Sequence, residues 1–509
     1  MEKVNIVNSK VLGEKYLKNK DKFYKYIDNI KSLMVVDIYS IINSTIICNP
    51  YNTDFPKKFI LKEFDFSNKI FIFIRSTFKF YLKNFYFYFS YLISWFLFKI
   101  YFKKENKYNE KYIAIDIFFL VDNIIKDNKF NENYFIGLYD VLEKYKQNYI
   151  FIPRLYGVGK NPFKLIKLFK ILKKDKRNFL FEFELLTLKD FLEIFFLILN
   201  YPFKTLRLLQ EKKSFEDELF NNELIKDIKN QQFDAFSRYV FGKNIAKLNK
   251  IKKIYSWSEF QVIERSFNYA IRNNNTTIQI IACQFFLNYE TYFNTVVYDI
   301  DAVHKSAPHK VLVNGKYHLK SREKVVYDLG VSLRYKNIFE FNSEEDGKNI
   351  ILLGSYIEKD TKYMLESIDS FKQIIFKSHP AVKISNFGTL PKNIIVSDAN
   401  IYELFKSCNI VIGTASGSLL EAVSCGKSVI VIASQNNFTV NPLVDLGKGK
   451  IWDIAFHPSE LQKIYKKLLS YRMNHKDEIQ TIALWYKENF FIQPTEKNIA
   501  KAFDLKGAS

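Results

Sequence analysis

The sequence predicts an α/β protein of two domains, and three observations carry that expectation. The first is length: 509 residues divide naturally into two domains, each large enough for a full core. The second is pattern. From Tyr112 onward, short β-branched and apolar runs alternate with segments of helical spacing, as parallel strands joined by helices do. The third is how those runs end, in small or polar residues that open a helix, as at Gly413-Thr414-Ala415-Ser416-Gly417-Ser418. Hydrophobic residues make up 48% and charged ones 26%, a globular balance that excludes a disordered chain.

Residues 1–60 read as a mixed helical lead-in, with an apolar segment at 33–48. An insertion follows near 69–104. Within it, residues 85–98 carry no charge and are bracketed by Lys83 and by Lys99, Lys103 and Lys104. That run is shorter than the ~20 residues a spanning helix needs. Trp95, the tyrosines and the basic flanks suit an element lying at a membrane interface. A buried core helix or hairpin between domains fits the same residues.

Strands are expected at 112–120 and 149–153, then a helix capped by Asn161-Pro162. Its Lys164, Lys167, Lys170 and Lys173 alternate with apolar residues, which suits a membrane surface or a solvated face packed on a sheet. A further strand is expected at 179–186. Thr187-Leu188-Lys189-Asp190 has the form of a capping box and opens an apolar helix that should stop at 200–202, where Pro202 stands. Residues 204–250 are charged and helical. Strands at 252–257, 277–283 and, last in this domain, 309–313 complete a first domain over 1–335. The hinge is placed around 320–348, where 342–347 is polar and turn-like. The second domain, 336–509, shows strands at 349–356, 373–378, 393–396, 409–412, 428–433 and 452–456. Its helices fall at 401–407, 419–424 (closed by Gly426), 459–473 and 476–505.

Three strand ends of the second domain bring together Gly354 and Ser355, then Lys377, His379 and Pro380, then the turn of Gly413, Thr414, Ser416, Gly417 and Ser418. A small-residue turn at the C-terminal end of a parallel strand, opening a helix, can seat a phosphate on backbone amides. The same turn also reads as a plain βα connection with a serine N-cap. Gly426-Lys427-Ser428 is not a phosphate loop, because position 421 is Glu and a strand follows. Nor is the 413–417 turn a G-x-S-x-G nucleophile elbow, since its serine comes one place late. In the first domain, Glu259 just past a strand end is the leading candidate for a base that takes a proton from an acceptor hydroxyl, with Glu264 second. Either one also reads as a first-turn carboxylate favoured by the helix dipole.

The order G-S, K-x-H-P, short helix and G-T-A-S-G-S-L-L-E-A resembles the nucleotide-sugar half of GT-B glycosyltransferases. Within that class it is similar to bacterial surface-carbohydrate enzymes of the capsule and O-antigen kind, above all the H-P-motif transferases that use CMP-linked Kdo or sialic acid. The resemblance spans about residues 345–460 and, more loosely, 251–315. It implies two Rossmann-like domains facing a cleft, with the aromatic and basic helical insertions confined to the N-terminal half. It also implies a final helix that crosses back to the first domain, and a sugar moved from a nucleotide-sugar, CMP-linked by preference, to a surface polysaccharide or lipid-linked glycan. His379 and the 413–418 turn would then stabilise the leaving phosphate, Lys377 would add charge, and Glu421 would bind donor hydroxyls or serve as a structural helix residue. Teichoic-acid-type polymerases carry a similar H-P and serine-rich turn, so transfer of an alditol phosphate from a CDP-linked donor stays open. So does a scaffold of glycan assembly that keeps the fold without the chemistry.

Amides, Lys377 and His379 can offset phosphate charge, so neither a cofactor nor an essential metal is expected. Asp299-Ile300-Asp301 matches the D-x-D metal pattern of a different glycosyltransferase fold only over three residues. His304, His309 and His318 are too irregular for a zinc site. The net charge of +22 favours anionic partners, a membrane surface or a nucleotide. Zinc-binding spacing and aromatic RNA-reading signatures are missing, which argues against nucleic acid. Cys48, Cys283, Cys408 and Cys425 are scattered, and the N-terminus lacks an apolar leader. The expected location is cytoplasmic, peripheral at the inner face of the membrane.

Overall fold

A computed structural model describes residues 9–33, 38–50, 53–64, 68–102, 111–156, 161–287, 296–342, 347–435 and 438–505. Lys103, Lys104 and the centre of the polar hinge segment, 343–346, lie outside the described residues.

The expected fold class holds: the described chain builds two six-stranded sheets, both wholly parallel. The first contains β1 (Tyr112–Leu120), β2 (Tyr149–Tyr156), β3 (Ile251–Trp257), β4 (Gln279–Gln284), β5 (Lys310–Val313) and β6 (Val326–Leu329), in the order β2-β1-β3-β4-β5-β6. The second contains β7 (Asn349–Leu353), β8 (Ile374–Lys377), β9 (Ile394–Val396), β10 (Cys408–Gly413), β11 (Ser428–Ile432) and β12 (Trp452–Ala455). Its order, β12-β11-β10-β7-β8-β9, is that of a Rossmann sheet whose strand order reverses between β7 and β10. Helices cover both faces, so the central strands read as unbroken apolar runs: every residue of β11 is buried.

Four local expectations are corrected. Residues 179–186 form no strand. Phe179 makes one bridge to Phe151, Phe181 and Phe183 enter the core, and Glu182–Leu185 turns as a short helix. The apolar helix does not stop at Pro202 but runs over Leu188–Leu206, because Tyr201, Pro202 and Thr205 are all buried and packing holds the backbone through the missing N–H. β5 is not the last strand of its sheet, since β6 pairs beyond it with alternate residues exposed. The segment 476–505 is two helices, Lys476–Phe490 and Glu496–Ala502, parted at Phe491.

The chain passes between the sheets twice. Outbound, Ser332 N–H donates to Ile492 O at 2.9 Å, and on the return Ile492 N–H donates to the Ser332 hydroxyl at 2.9 Å. The returning segment then joins the first core: Ile499, Ala500 and Phe503 pack with Tyr255, Phe135 and Phe285, and Tyr255 donates to Phe503 O at 2.6 Å.

The insertion is one helix, Lys69–Tyr101, of 33 residues. Asn68 caps it, its side chain accepting from Ile70 N and Phe71 N. Neither expectation for 85–98 describes it alone, because one side packs into the protein and the other faces out. The helix Pro162–Lys174 lies against its C-terminal end, with Leu165, Leu168, Phe169 and Leu172 buried and Asn161 capping as expected.

Candidate functional site

The second sheet sets the first half of the site. Gly413 pairs with Leu353 and Leu353 with Lys377, so β10, β7 and β8 end level. Ligands of such sheets bind in the crevice at the C-terminal strand ends where the order reverses, here beyond β7 and β10. Gly354 lets two strand ends approach closely: a Cβ there would stand 3.1 Å from His379 N and 3.2 Å from Ser378 Cα, tighter than ordinary van der Waals contact. Its N–H donates to Lys377 O at 2.9 Å, which draws the β8 end against the β7 end.

His379 is half-buried, with its ring edge toward Tyr356 at 6.1 Å between centroids. Its Nδ1 accepts the Ala381 N–H at 3.1 Å, and burial pushes its pKa below the usual histidine range. A neutral imidazole whose Nδ1 accepts must carry its proton on Nε2. His379 therefore presents an N–H donor. Lys377 Nζ donates to Ala399 O at 2.7 Å and keeps two further protons for a ligand. Pro380 is exposed beside it.

The 413–418 turn is bent by Ala415, a non-glycine residue held at φ 47°, whose N–H donates to Val440 O at 3.0 Å. Such left-handed backbone in a residue with a Cβ costs on the order of 1 kcal/mol and concentrates at functional turns. Beyond it, the amides of Ser416, Gly417 and Ser418 have no acceptor among the described residues, and all three residues are half-buried. The Thr414 hydroxyl is buried without a hydrogen-bond partner.

Two predicted donor residues point inward instead. Ser355 is fully buried; its hydroxyl accepts the Ile357 N–H at 2.9 Å and its N–H donates to the Thr361 hydroxyl at 2.9 Å. It shapes the loop. Glu421 is also buried, accepting from Tyr402 at 2.5 Å and from Ser418 at 3.1 Å. Burial raises its pKa, against the pull of those two hydroxyls and of Arg334. Glu421 thus accepts from Ser418 at the entry of its own helix.

The first sheet carries the other candidate residues. Glu259 follows β3, half-buried, accepting from Gln261 Nε2 at 2.9 Å and lying 3.5 Å from Trp257 Nε1. The next residue, Phe260, is again a non-glycine at positive φ, 56°. Glu264 does not fill the role of base. It is buried, accepts the Gln261 N–H at 3.0 Å and pairs with Arg154 at 2.6 Å, so it cannot meet an acceptor hydroxyl. Burial raises its pKa and Arg154 opposes the rise. The pair belongs to a buried lattice in which Arg154 and Arg238 share Asp116 at 3.4 and 2.9 Å, and Arg238 reaches Glu182 at 3.3 Å. A cavity of about 220 Å³ lies over this lattice, walled by Ser90, Tyr91 and Ser94 of the long helix.

Arg334 is the residue that sequence reasoning missed. It sits on the outbound crossing, exposed, with its guanidinium 5.5 Å from the ring centres of both Trp257 and Tyr134. No carboxylate pairs with it among the described residues, yet its charge is felt at Glu421 of the second sheet and at Tyr134 of the first. Glu259 and Arg334 thus flank one indole. No sequence motif marks it.

The D-x-D segment is structural. Asp301 is buried between Arg265 at 2.7 Å and Lys31 at 2.9 Å, and these cations hold its pKa well below the carboxylate range against the cost of burial. Asp299 accepts the Glu323 and Lys324 amides. His318 is buried, His309 accepts the Ile280 N–H, and His304 is buried with its pKa lowered by that burial.

No family model matches the chain, and no curated protein matches it. Solved structures that it resembles include a UDP-N-acetylglucosamine 2-epimerase, at 10% identity over 77% of this chain and 95% of that one, with a TM-score of 0.40. A second is the wall teichoic acid polymerase TagF, at 10% identity over 90% and 96%, TM-score 0.37. A third is Acinetobacter baumannii MurG, at 10% identity over 77% and 99%, TM-score 0.39. Identity and TM-score are low throughout, and the fold and the site stand on the geometry of this chain alone.

Proposed function

We propose that this chain is a glycosyltransferase of the two-domain GT-B type, moving a sugar from a nucleotide-sugar donor to a surface glycan acceptor. The observation that supports it most is the level ends of β7, β8 and β10, which carry His379 with its Nε2–H and the amides of 416–418, without acceptors among the described residues; Arg334, beside Trp257, has no carboxylate partner among those residues. All are donors or cations, suited to the charge that grows on a leaving phosphate. Across the cleft, Glu259 accepts the acceptor's hydroxyl proton as that oxygen attacks the anomeric carbon and the bond to phosphate breaks. His379, Arg334 and the amides receive the departing nucleotide; Lys377 adds charge. No metal enters this reading. The H-P motif and serine-rich turn favour a CMP-linked donor. The acceptor is a growing polysaccharide or lipid-linked glycan, met at the inner face of the cytoplasmic membrane.

The test is donor turnover. Purified protein, a panel of CMP-, UDP- and GDP-sugars and a lipid-linked glycan fraction should release one nucleotide and lengthen the glycan by a sugar. Release of CMP from a CDP-alditol, with phosphate in the new linkage, would replace this reading with the phosphotransferase. A chain that neither binds nor consumes any nucleotide-linked donor is a scaffold.

A further inference from the structure

We infer that the helices Lys69–Tyr101 and Leu188–Leu206 form one platform that lies in the plane of an anionic lipid bilayer. This rests on the peripheral-membrane part of the reading above and names the surface. The long helix is built inside out. Ser76 and Asn84 are buried, with Asn84 Nδ2 donating to Phe80 O at 3.0 Å. Ile74, Phe78, Leu82, Phe89, Ile93 and Phe96, all on the opposite side, are 51–62% exposed. Their spacings of three, four and seven keep them on one face for the whole helix, which is about 50 Å long. Leu188, Leu192, Phe196 and Phe203 repeat the pattern on the second helix at 57–61% exposure. The two run side by side: Tyr81 donates to Leu199 O at 2.7 Å, and Phe85 meets Phe195 at 5.4 Å between ring centres.

Charge selects the occupant. Residues 69–101 contain five basic residues, of which Arg75, Lys79 and Lys99 are exposed and Lys69 and Lys83 half-buried, and neither Asp nor Glu. Lys170 of the neighbouring helix stands over Tyr101 at 5.9 Å, and Lys167, Lys173 and Lys174 are exposed beside it. The two acids of the second helix are engaged elsewhere, Asp190 with Thr187 and Glu193 with Lys243. An apolar face with a basic rim matches acyl chains and anionic headgroups. A second copy on a two-fold axis would instead set the basic rim against itself. Among the described residues no helix is long and apolar enough to cross a membrane.

The full chain should sediment with vesicles of phosphatidylcholine containing phosphatidylglycerol, and far less with phosphatidylcholine alone or in high salt. The triple variant Ile74→Glu, Phe78→Glu, Ile93→Glu should lose at least about 100-fold in partitioning. Its melting temperature and nucleotide affinity should not change, because these side chains face out. Wild-type protein that ignores anionic vesicles while still binding nucleotide overturns the platform and leaves the catalytic reading intact. A dimer in ultracentrifugation that the same variant dissociates, with no vesicle binding, overturns it in favour of a second copy. Vesicle binding without any nucleotide binding sustains the platform and sinks the enzyme reading.

Discussion

Acid should loosen the seam between the two sheets through His318. This imidazole is buried against Phe490, 5.4 Å between ring centres, where the chain returns to the first domain, and its Nε2 has no hydrogen-bond partner. Burial, helped by Lys320, pushes its pKa down to about 3. In the unfolded chain it titrates near 6.5. The folded state thus binds fewer protons between those values, and stability must fall as pH drops below about 6.5. From about pH 7.5 to about pH 5 the loss from this residue is ~2 kcal/mol. Asp227 works the other way: burial raises its pKa to about 6, so the same acidification relieves a cost there. The contribution of His318 is therefore read as a difference. Urea unfolding of wild type and His318→Leu at both pH values should show that wild type loses ~2 kcal/mol more than the variant on acidification. Equal losses would refute the claim that a neutral imidazole is trapped at the seam.

Two further substitutions separate chemistry from architecture. Glu259→Gln should abolish transfer while leaving the melting temperature within about 2 °C, since the residue is half-buried and its amide partner is retained. Glu264→Gln should instead destabilise the fold by ~3 kcal/mol or more, because it leaves Arg154 buried with a lost partner; a stable but inactive Glu264→Gln would reverse the two assignments. Gly354→Ala should cost ~1–3 kcal/mol and weaken nucleotide binding, as its Cβ presses on the backbone of Ser378 and His379. Calorimetry and denaturant titration on that one variant check both effects.

Strands were legible where they are buried on both faces. β10 and β11 are β-branched runs, and no other element accommodates such runs so well. β6 was hidden because it is a four-residue edge strand that alternates exposed and half-buried residues, a pattern too short to stand out. The 179–186 segment misled through its phenylalanines: aromatic alternation signals burial, and here burial is achieved with a single bridge. The long helix was legible only in part, since an apolar face turned outward looks in sequence like an apolar face turned inward. At the site, Gly354, His379 and the 413–418 turn follow from strand ends, a local signal. The burial of Ser355 and Glu421 does not, because it depends on Thr361 and Tyr402 closing over them. Arg334 depends on the crossing where Ser332 meets Ile492, 160 residues further on, which no local pattern encodes.

The central claim is that the strand-end edge of the second sheet, with Arg334 contributing charge, holds the nucleotide of the donor. Calorimetric titration of CMP, CDP, UDP and GDP into wild type, His379→Ala and Arg334→Ala tests it most directly. One nucleotide should bind selectively, and each substitution should weaken it about 10- to 100-fold, the worth of a charge-assisted hydrogen bond. Binding that neither substitution changes, or no binding to the wild type, would contradict the account.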